Sequence, residues 1–311
     1  MTLVHVFLLA TMLNPPLALL SEDLLVSIVE HVANLPSKDE DLHNLSLADR
    51  AFTQSCQKYI FRNLQFSDEG DISERVKKVK KILEDNPSFA NQVRMVEFLF
   101  SHHNHYKANA NPFNDHTLIS ILQLLSTSPM PPHELHFDGG IFGGYIPPSF
   151  WNKRHGTIPL VQQIVQSFFS ETLTILHLTG CQCHRQKIPL PIFIICPRLR
   201  EVFLDNVEST HTSYDEYPGP DNLCSGREPP PLEVLDYRNS NSLVKQMITP
   251  PPRFNTPVVV WSNLRILTLS PHDEEGMACL QPILDAACNT LEELYLTSTD
   301  MGGCKCNVFF W

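Results

Sequence analysis

A nine-residue pattern returns seven times along the chain and constrains the fold more than any other feature. Its apolar residues stand at positions one, four and six, as in the stretch Leu173 to Cys181 (LTILHLTGC). In an extended strand, residues four and six share one face and residue five points to the other. We therefore expect Leu176 and Leu178 to be buried and His177 to point outward. The seven copies begin at Val93, Pro132, Leu173, Leu199, Leu232, Leu264 and Leu291.

The spacing of these copies predicts parallel strands joined by helices. Successive copies begin 26 to 41 residues apart, which is enough for a strand, a turn, a helix and a return to the next strand. Between them, residues 117–125, 160–169, 243–248 and 277–287 carry apolar residues at helical spacing. One such unit buries too little apolar surface to offset the ordering of its backbone, so the units must fold with their neighbours. The predicted class is α/β with a parallel sheet.

The repeated pattern resembles the leucine-rich repeat, LxxLxLxx(N/C)xL, in an irregular form. The resemblance extends from Val93 to about Thr299, and Cys181 stands at the Asn/Cys position. It implies a solenoid over residues 93–300 whose sheet presents one face for protein recognition.

Position five of each copy supplies a row of outward residues, which we expect to bind a target protein. Carboxylates at Glu134, Glu201, Asp205 and Glu293 flank this row. Mixed aromatic and acidic character suits a protein segment with basic and apolar groups, although plain solvent exposure is the alternative for any one residue. We expect replacement of His177 to affect target binding without a cost to the fold. The row consists of Glu97, His136, His177, Phe203, Asp236, Thr268 and Tyr295.

Charge restricts the class of partner. The formal net charge is −11, and a negative protein repels both nucleic-acid phosphates and anionic membrane surfaces. We therefore expect neither a nucleic acid nor a membrane as partner.

The region before the repeats predicts three short helices. Ser21 can cap the first helix, and Glu22 and Asp23 favour its first turn. Its apolar stripe comprises Leu24, Leu25, Ile28, Val29 and Val32. The second pattern, from Asp39, places Leu42, Leu45, Leu47 and Phe52 on one side, and the third runs through Cys56, Tyr59, Ile60 and Leu64.

Residues 20–66 resemble an F-box. The residues that carry the resemblance are Leu20-Ser21-Glu22-Asp23-Leu24-Leu25 with Ile28, then Asp41-Leu42, Leu45-Ser46-Leu47, Arg50-Ala51-Phe52 and Phe61-Arg62-Asn63-Leu64. Ser21 stands where the family has proline, Leu47-Ala48 where it has Val-Cys, and Phe52 where it has tryptophan. All but the first keep apolar character.

An F-box implies a substrate receptor of a cullin-RING ubiquitin ligase, docked on a Skp-type adaptor and through it on a cullin. The alternative is a repeat scaffold whose helical trio only caps the solenoid. The residues expected to bind the adaptor are Leu20, Leu24, Leu25, Ile28, Leu42, Leu45, Leu47 and Phe52.

Three further segments complete the predicted organisation. Residues 67–92 are a linker whose helix has a basic outer face, which is either a partner surface or a solvated face. Residues 1–19 are an apolar leader or arm, and residues 301–311 form an irregular tail without a repeat cap. The leader has no Lys or Arg before its apolar run, and Pro15-Pro16 interrupts it. Both features are unlike a secretory signal. We therefore expect a cytoplasmic or nuclear location, with secretion as the alternative. Nine cysteines without framework spacing favour reduced thiols, with Cys56, Cys279 and Cys288 among the core or helix positions.

Candidate catalytic and metal chemistry is weak in this sequence. The possible metal ligands, His102, His103 and His105, Cys181, Cys183 and His184, and Cys304 and Cys306, lack the paired spacing of a tetrahedral site. No nucleophile elbow, phosphate loop or metalloprotease motif is present. We therefore expect a non-catalytic protein without a cofactor.

Overall fold

The computed structural model describes residues 21–35, 37–67, 72–100, 116–139, 163–180, 182–183, 190–209, 228–249, 257–270 and 274–296. The chain divides into two compact units, residues 1–63 and 64–311. Leu20, the predicted leader, the tail and Cys181 lie outside the described residues.

The first unit consists of three helices around a small apolar core. The helices are α1 Glu22–Ala33, α2 Lys38–Ala48 and α3 Arg50–Ile60. As predicted, the side chain of Ser21 caps α1 by accepting a hydrogen bond from the Leu24 amide at 3.4 Å. The Tyr59 hydroxyl donates to Glu30 Oε1 at 3.3 Å and links α3 to α1. The core of this unit is Leu25, Val29, Val32, Leu42, Leu45, Phe52 and Cys56.

The second unit is built on one eight-stranded sheet whose strands follow almost in chain order. The strands are β1 Asn63–Ser67, β2 Met95–Leu99, β3 Glu134–Asp138, β4 Ile175–Thr179, β6 Glu201–Asp205, β8 Val234–Arg238, β9 Ile266–Ser270 and β10 Glu293–Leu296. Their order in the sheet is β1-β2-β3-β4-β6-β8-β9-β10, and every pairing from β2 to β10 is parallel. The short strands β5 Gln182–Cys183 and β7 Glu208–Ser209 pair separately.

All seven predicted strand copies form strands of this sheet, and the pattern sets their register. Position four of each copy pairs with position four of the next, from Val96 with Leu135 to Leu267 with Leu294. A backbone contact repeats before each strand: the position-two carbonyl accepts two amides from the next copy, as when Arg94 O accepts from His133 N at 3.0 Å and Glu134 N at 3.1 Å. This register brings equivalent side chains of successive strands side by side.

The helices pack on the apolar face of the sheet. They are α4 Ile72–Asp85, α5 His116–Ser126, α6 Pro191–Ile195, α7 Asn241–Ile248 and α8 Glu274–Ala287, with a π-helical turn at Val165–Phe169. Leu176 and Leu178 are fully buried, as predicted, in one continuous core with residues of these helices. The sheet therefore has one covered face and one face that carries the outward row.

Left-handed backbone turns end several strands at position eight of the pattern. Gly180, Asn206 and Asn239 have φ values of 62°, 53° and 49°, a region that glycine and asparagine tolerate best. The asparagines also bond to each other, because Asn239 Nδ2 donates to Asn206 Oδ1 at 2.9 Å. This hydrogen bond links the turn after β6 to the turn after β8.

The sequence interpretation is wrong at three places within the described residues. It placed Phe52 on the second helix, whereas α2 ends at Ala48 and Phe52 lies in α3. It placed Leu64 in the third helix, whereas α3 ends at Ile60 and Asn63–Ser67 forms β1, with Phe66 in the core of the sheet unit. It also placed Cys288 among the core or helix positions, but Cys288 is exposed just after α8, whereas Cys56 and Cys279 are buried. Burial raises the pKa of the Cys56 thiol to about 11.

Candidate protein-binding surface

The seven residues of the predicted row lie in register across the sheet. Each pairs directly with the next, so that the strand register generates one continuous line. All seven are partly exposed, whereas positions four and six beside them are buried in β2 to β9. The predicted placement of the row is confirmed; its role in binding stays a prediction. The line runs Glu97, His136, His177, Phe203, Asp236, Thr268, Tyr295.

The first part of the row consists of imidazoles held by carboxylates. Glu97 accepts from Gln65 Nε2 at 2.9 Å, and its Oε1 lies 2.9 Å from His136 Nδ1. The neighbouring His177 Nε2 lies 3.3 Å from Glu134 Oε1. Each imidazole is therefore oriented by a glutamate on an adjacent strand.

Three neighbouring rings lie in the middle of the row, and two of them are stacked. The His136 and His177 rings have centroids 5.1 Å apart at an interplanar angle of 53°. His177 and Phe203 lie closer, with centroids 4.3 Å apart and planes 5° from parallel. We call His136, His177 and Phe203 the ring stack. It gives this half of the surface a rigid aromatic edge.

Short side chains follow the ring stack. Asp236 and Thr268 occupy the next two places, and a ring returns only at Tyr295. Arg238, on the same strand as Asp236, lies with Nη2 3.3 Å from Asp236 Oδ2. At the far end the Tyr295 hydroxyl donates to Glu293, and this hydrogen bond raises the pKa of Tyr295.

Positions three and seven extend the row to a wider surface. We call this surface the outer face and define it as the exposed and partly exposed residues at positions three, five and seven of the seven strand copies. Among its described residues Arg238 is the one arginine or lysine. The carboxylates of the outer face are Glu97, Glu134, Asp138, Glu201, Asp205, Asp236 and Glu293. The outer face is therefore strongly acidic, which suits a basic partner.

Burial and neighbouring charges both shift the pKa of Asp205. Burial raises the pKa of this carboxyl, Arg238 lowers it, and Asp236 and Asp138 raise it further. The sequence interpretation did not single out Asp138 or Arg238. The signal was present, because position seven has the same parity as position five and must share its face.

Several large apolar side chains of the helical unit are exposed to solvent. Leu24 is 53% exposed, Ile28 36% and Leu47 72%. Ile60 is also exposed and was not among the predicted adaptor residues. The other predicted residues that the structure describes, Leu25, Leu42, Leu45 and Phe52, are buried in the core of this unit.

Within the described ranges, no three His, Cys, Asp or Glu side chains are arranged to hold a metal ion. The metal ligands considered from the sequence, from His102 to Cys306, have no described side chains. No described helix has the length and apolar character needed to cross a membrane.

Comparison of the sequence with protein-family models and with curated proteins finds no significant match. The functional interpretation therefore rests on the residues and geometry of the two surfaces.

Proposed function

We propose that the chain is the non-catalytic substrate-recognition subunit of a cullin-RING ubiquitin ligase of the SCF type. The helical unit would bind the Skp-type adaptor, and through it a cullin, while the outer face would bind the protein to be modified. Ubiquitin transfer would be carried out by other subunits, so the proposal requires no catalytic residue in this chain.

One observation carries the adaptor half of the proposal: three of the residues that resemble the F-box pattern leave large apolar side chains in solvent. Leu24, Ile28 and Leu47 are exposed although they belong to helices with an apolar core. Burial of one leucine side chain contributes about 1.5 to 3 kcal/mol. A partner that covered these side chains would gain that contribution at each of them.

The target half of the proposal is supported by the position and charge of the outer face. A parallel sheet with one face packed by helices offers the other as a continuous surface, and here that surface combines rings with carboxylates. Aromatic residues are enriched at protein interfaces, and acidic groups select and steer basic partners.

One observation favours the alternative, a repeat scaffold that does not bind an adaptor. Leu25, Leu42, Leu45 and Phe52, half of the predicted adaptor residues, already form the interior of the helical unit. Their apolar character is explained by that core alone, so Leu24, Ile28 and Leu47 are the predicted adaptor residues within the described ranges that distinguish the two functions.

The test is affinity capture of a purified Skp-type adaptor by the full chain. We expect the intact chain to bind, and the double variant Leu24→Asp with Leu47→Asp to bind at least about tenfold more weakly, because two leucines that the adaptor would bury are replaced by charges. Met277→Asp is the matched control, since Met277 is 50% exposed on α8 of the other unit. Circular dichroism checks that each variant is folded.

Two results would contradict the adaptor proposal. One is a folded intact chain that captures no adaptor; the other is a double variant that captures as much as Met277→Asp. Either result leaves the scaffold function as the better account.

A further inference from the structure

Strand β6 places an aromatic ring between two carboxylates on the outer face. Glu201, Phe203 and Asp205 alternate with buried residues, so all three side chains leave the same side of the sheet. Alternate residues of a strand are about 7 Å apart. A group lying on Phe203 is therefore within reach of a carboxylate on each side.

One face of the Phe203 ring is stacked against another ring in the described part of the chain. The His177 ring lies against it at 4.3 Å, and within the described part of the chain no second ring contacts it. Its other side looks along the row toward Asp236 and Thr268, which are short. The next ring, Tyr295, is three strands away, or about 14 Å at the usual strand separation. We call the space bounded by Phe203, Asp236, Thr268 and Tyr295 the Phe203 slot.

The charges around the Phe203 slot are not balanced by the protein. Arg238 engages Asp236, whereas Glu201 has no ion pair among the described residues. Asp205 accepts a hydrogen bond from the side-chain amide of Asn206 at 3.0 Å. Burial raises its pKa, Arg238 lowers it in part, and the two nearby aspartates raise it further. An added cation would stabilise both carboxylates in their charged form.

These features favour arginine over other cations. A guanidinium is planar and weakly hydrated, so it stacks on an aromatic face while its N–H groups still reach carboxylates beside the ring. An ammonium group keeps its water more strongly and has no flat face. Phosphate groups would be repelled by the carboxylates, which makes a protein segment the fitting partner.

We propose that the Phe203 slot binds an arginine side chain of an extended protein segment, with the guanidinium on the open face of Phe203 and between Glu201, Asp205 and Asp236. The inference rests on the proposed function, because it takes the outer face as the target surface. It adds the chemical class of the target: a segment whose anchor is arginine.

The test uses the full chain and three fluorescein-labelled peptides of alternating glycine and serine. One peptide carries two arginines, one carries two lysines and one carries two citrullines, which keep the shape of arginine without its charge. Fluorescence anisotropy at low salt gives the dissociation constants. We expect the arginine peptide to bind about fivefold or more tightly than the lysine peptide and the citrulline peptide not to bind.

Two variants locate the binding. Phe203→Leu keeps an apolar side chain but removes the ring, and we expect it to weaken the arginine peptide about fivefold. Glu84→Gln is the control, because it removes one exposed carboxylate on α4, outside the outer face. Equal binding of arginine and citrulline peptides, no binding of the arginine peptide, or an unchanged affinity in Phe203→Leu would overturn the inference.

Adaptor capture by the same preparations separates this inference from the proposed function. Arginine binding without adaptor capture would contradict the ligase proposal. The Phe203 slot would then be the protein-binding site of a repeat scaffold. Adaptor capture without arginine-selective binding would remove the slot inference alone.

Discussion

The imidazole of His177 lies flat against the ring of Phe203, with centroids 4.3 Å apart and planes 5° from parallel. The two residues come from adjacent parallel strands, β4 and β6, and the strand register alone makes them neighbours. His177 points outward, as its place in the repeat predicts, but it also contacts Glu134 and His136. An outward residue in this row therefore stabilises the sheet as well as presenting a surface.

Replacement of His177 tests that stabilising role. We expect His177→Ala to lower the free energy of unfolding by about 1 kcal/mol, because it removes a stacked ring pair, whereas His177→Phe should retain stability by keeping the stack. Urea unfolding at neutral pH measures both. Thr268→Ala is the control, as Thr268 occupies the same row without a ring. If His177→Ala unfolds at the same urea concentration as wild type, His177 does not stabilise the sheet, as the sequence alone suggests.

Leu45 and Leu47 form a matched pair on α2 of the helical unit. Leu45 is 3% exposed and Leu47 is 72% exposed, although both belong to the predicted adaptor set. We expect Leu45→Ala to cost about 2 to 5 kcal/mol of stability through loss of buried contacts, and Leu47→Ala to change it by less than about 0.5 kcal/mol.

Denaturant unfolding and adaptor capture together separate the two roles of these leucines. Leu47→Ala should reduce adaptor capture while the helical unit stays folded. If Leu47→Ala destabilises as strongly as Leu45→Ala, the exposed position of Leu47 is not the native one.

Most of the sheet could be predicted because its signal is repeated. Each copy carries apolar residues at positions four and six, and seven copies together define strands, register and the outward row. Strand β1 was missed because Leu64 and Phe66 follow Tyr59 and Ile60 closely enough to continue a helical pattern. One isolated strand without the full pattern has no such redundancy.

The adaptor surface could be predicted only as a set of apolar residues. Helical spacing places Leu24 and Leu25 on one stripe, but the core of three short helices covers only part of it. Leu25 falls inside that core and Leu24 outside. Which edge of a stripe remains uncovered depends on how the helices pack, and that is decided by tertiary contacts rather than periodicity.

Asp205 gives the protein a specific pH dependence. Its pKa is raised in the folded chain, first by burial and then by Asp236 and Asp138, so folding disfavours its charged form. Protonation of Asp205 therefore stabilises the folded chain. This contribution is fully present below the ordinary carboxyl pKa and is lost as the pH rises through the raised pKa of the folded state. We expect Asp205→Asn to be more stable than wild type at pH 7, and this difference to shrink as the pH falls toward 4.

Urea unfolding of wild type and Asp205→Asn at several pH values measures this difference. The asparagine side chain keeps an oxygen that can accept the hydrogen bond from Asn206, so the comparison isolates the charge. A variant that is less stable than wild type at pH 7 would mean that the attraction of Arg238 outweighs burial.

Tyr237 stands at an inward position of β8 and is fully buried. Its hydroxyl has no hydrogen-bond partner in the described part of the chain, and burial raises its pKa far above the usual range. An unpaired buried hydroxyl costs about 1 to 3 kcal/mol, so Tyr237→Phe should raise the free energy of unfolding by about 1 kcal/mol.

Tyr59→Phe is the control, because the Tyr59 hydroxyl donates a hydrogen bond to Glu30 and its removal should not raise the free energy of unfolding. If thermal and urea unfolding show that Tyr237→Phe is the less stable of the two variants, the hydroxyl of Tyr237 has a partner and the core around β8 is polar at that point.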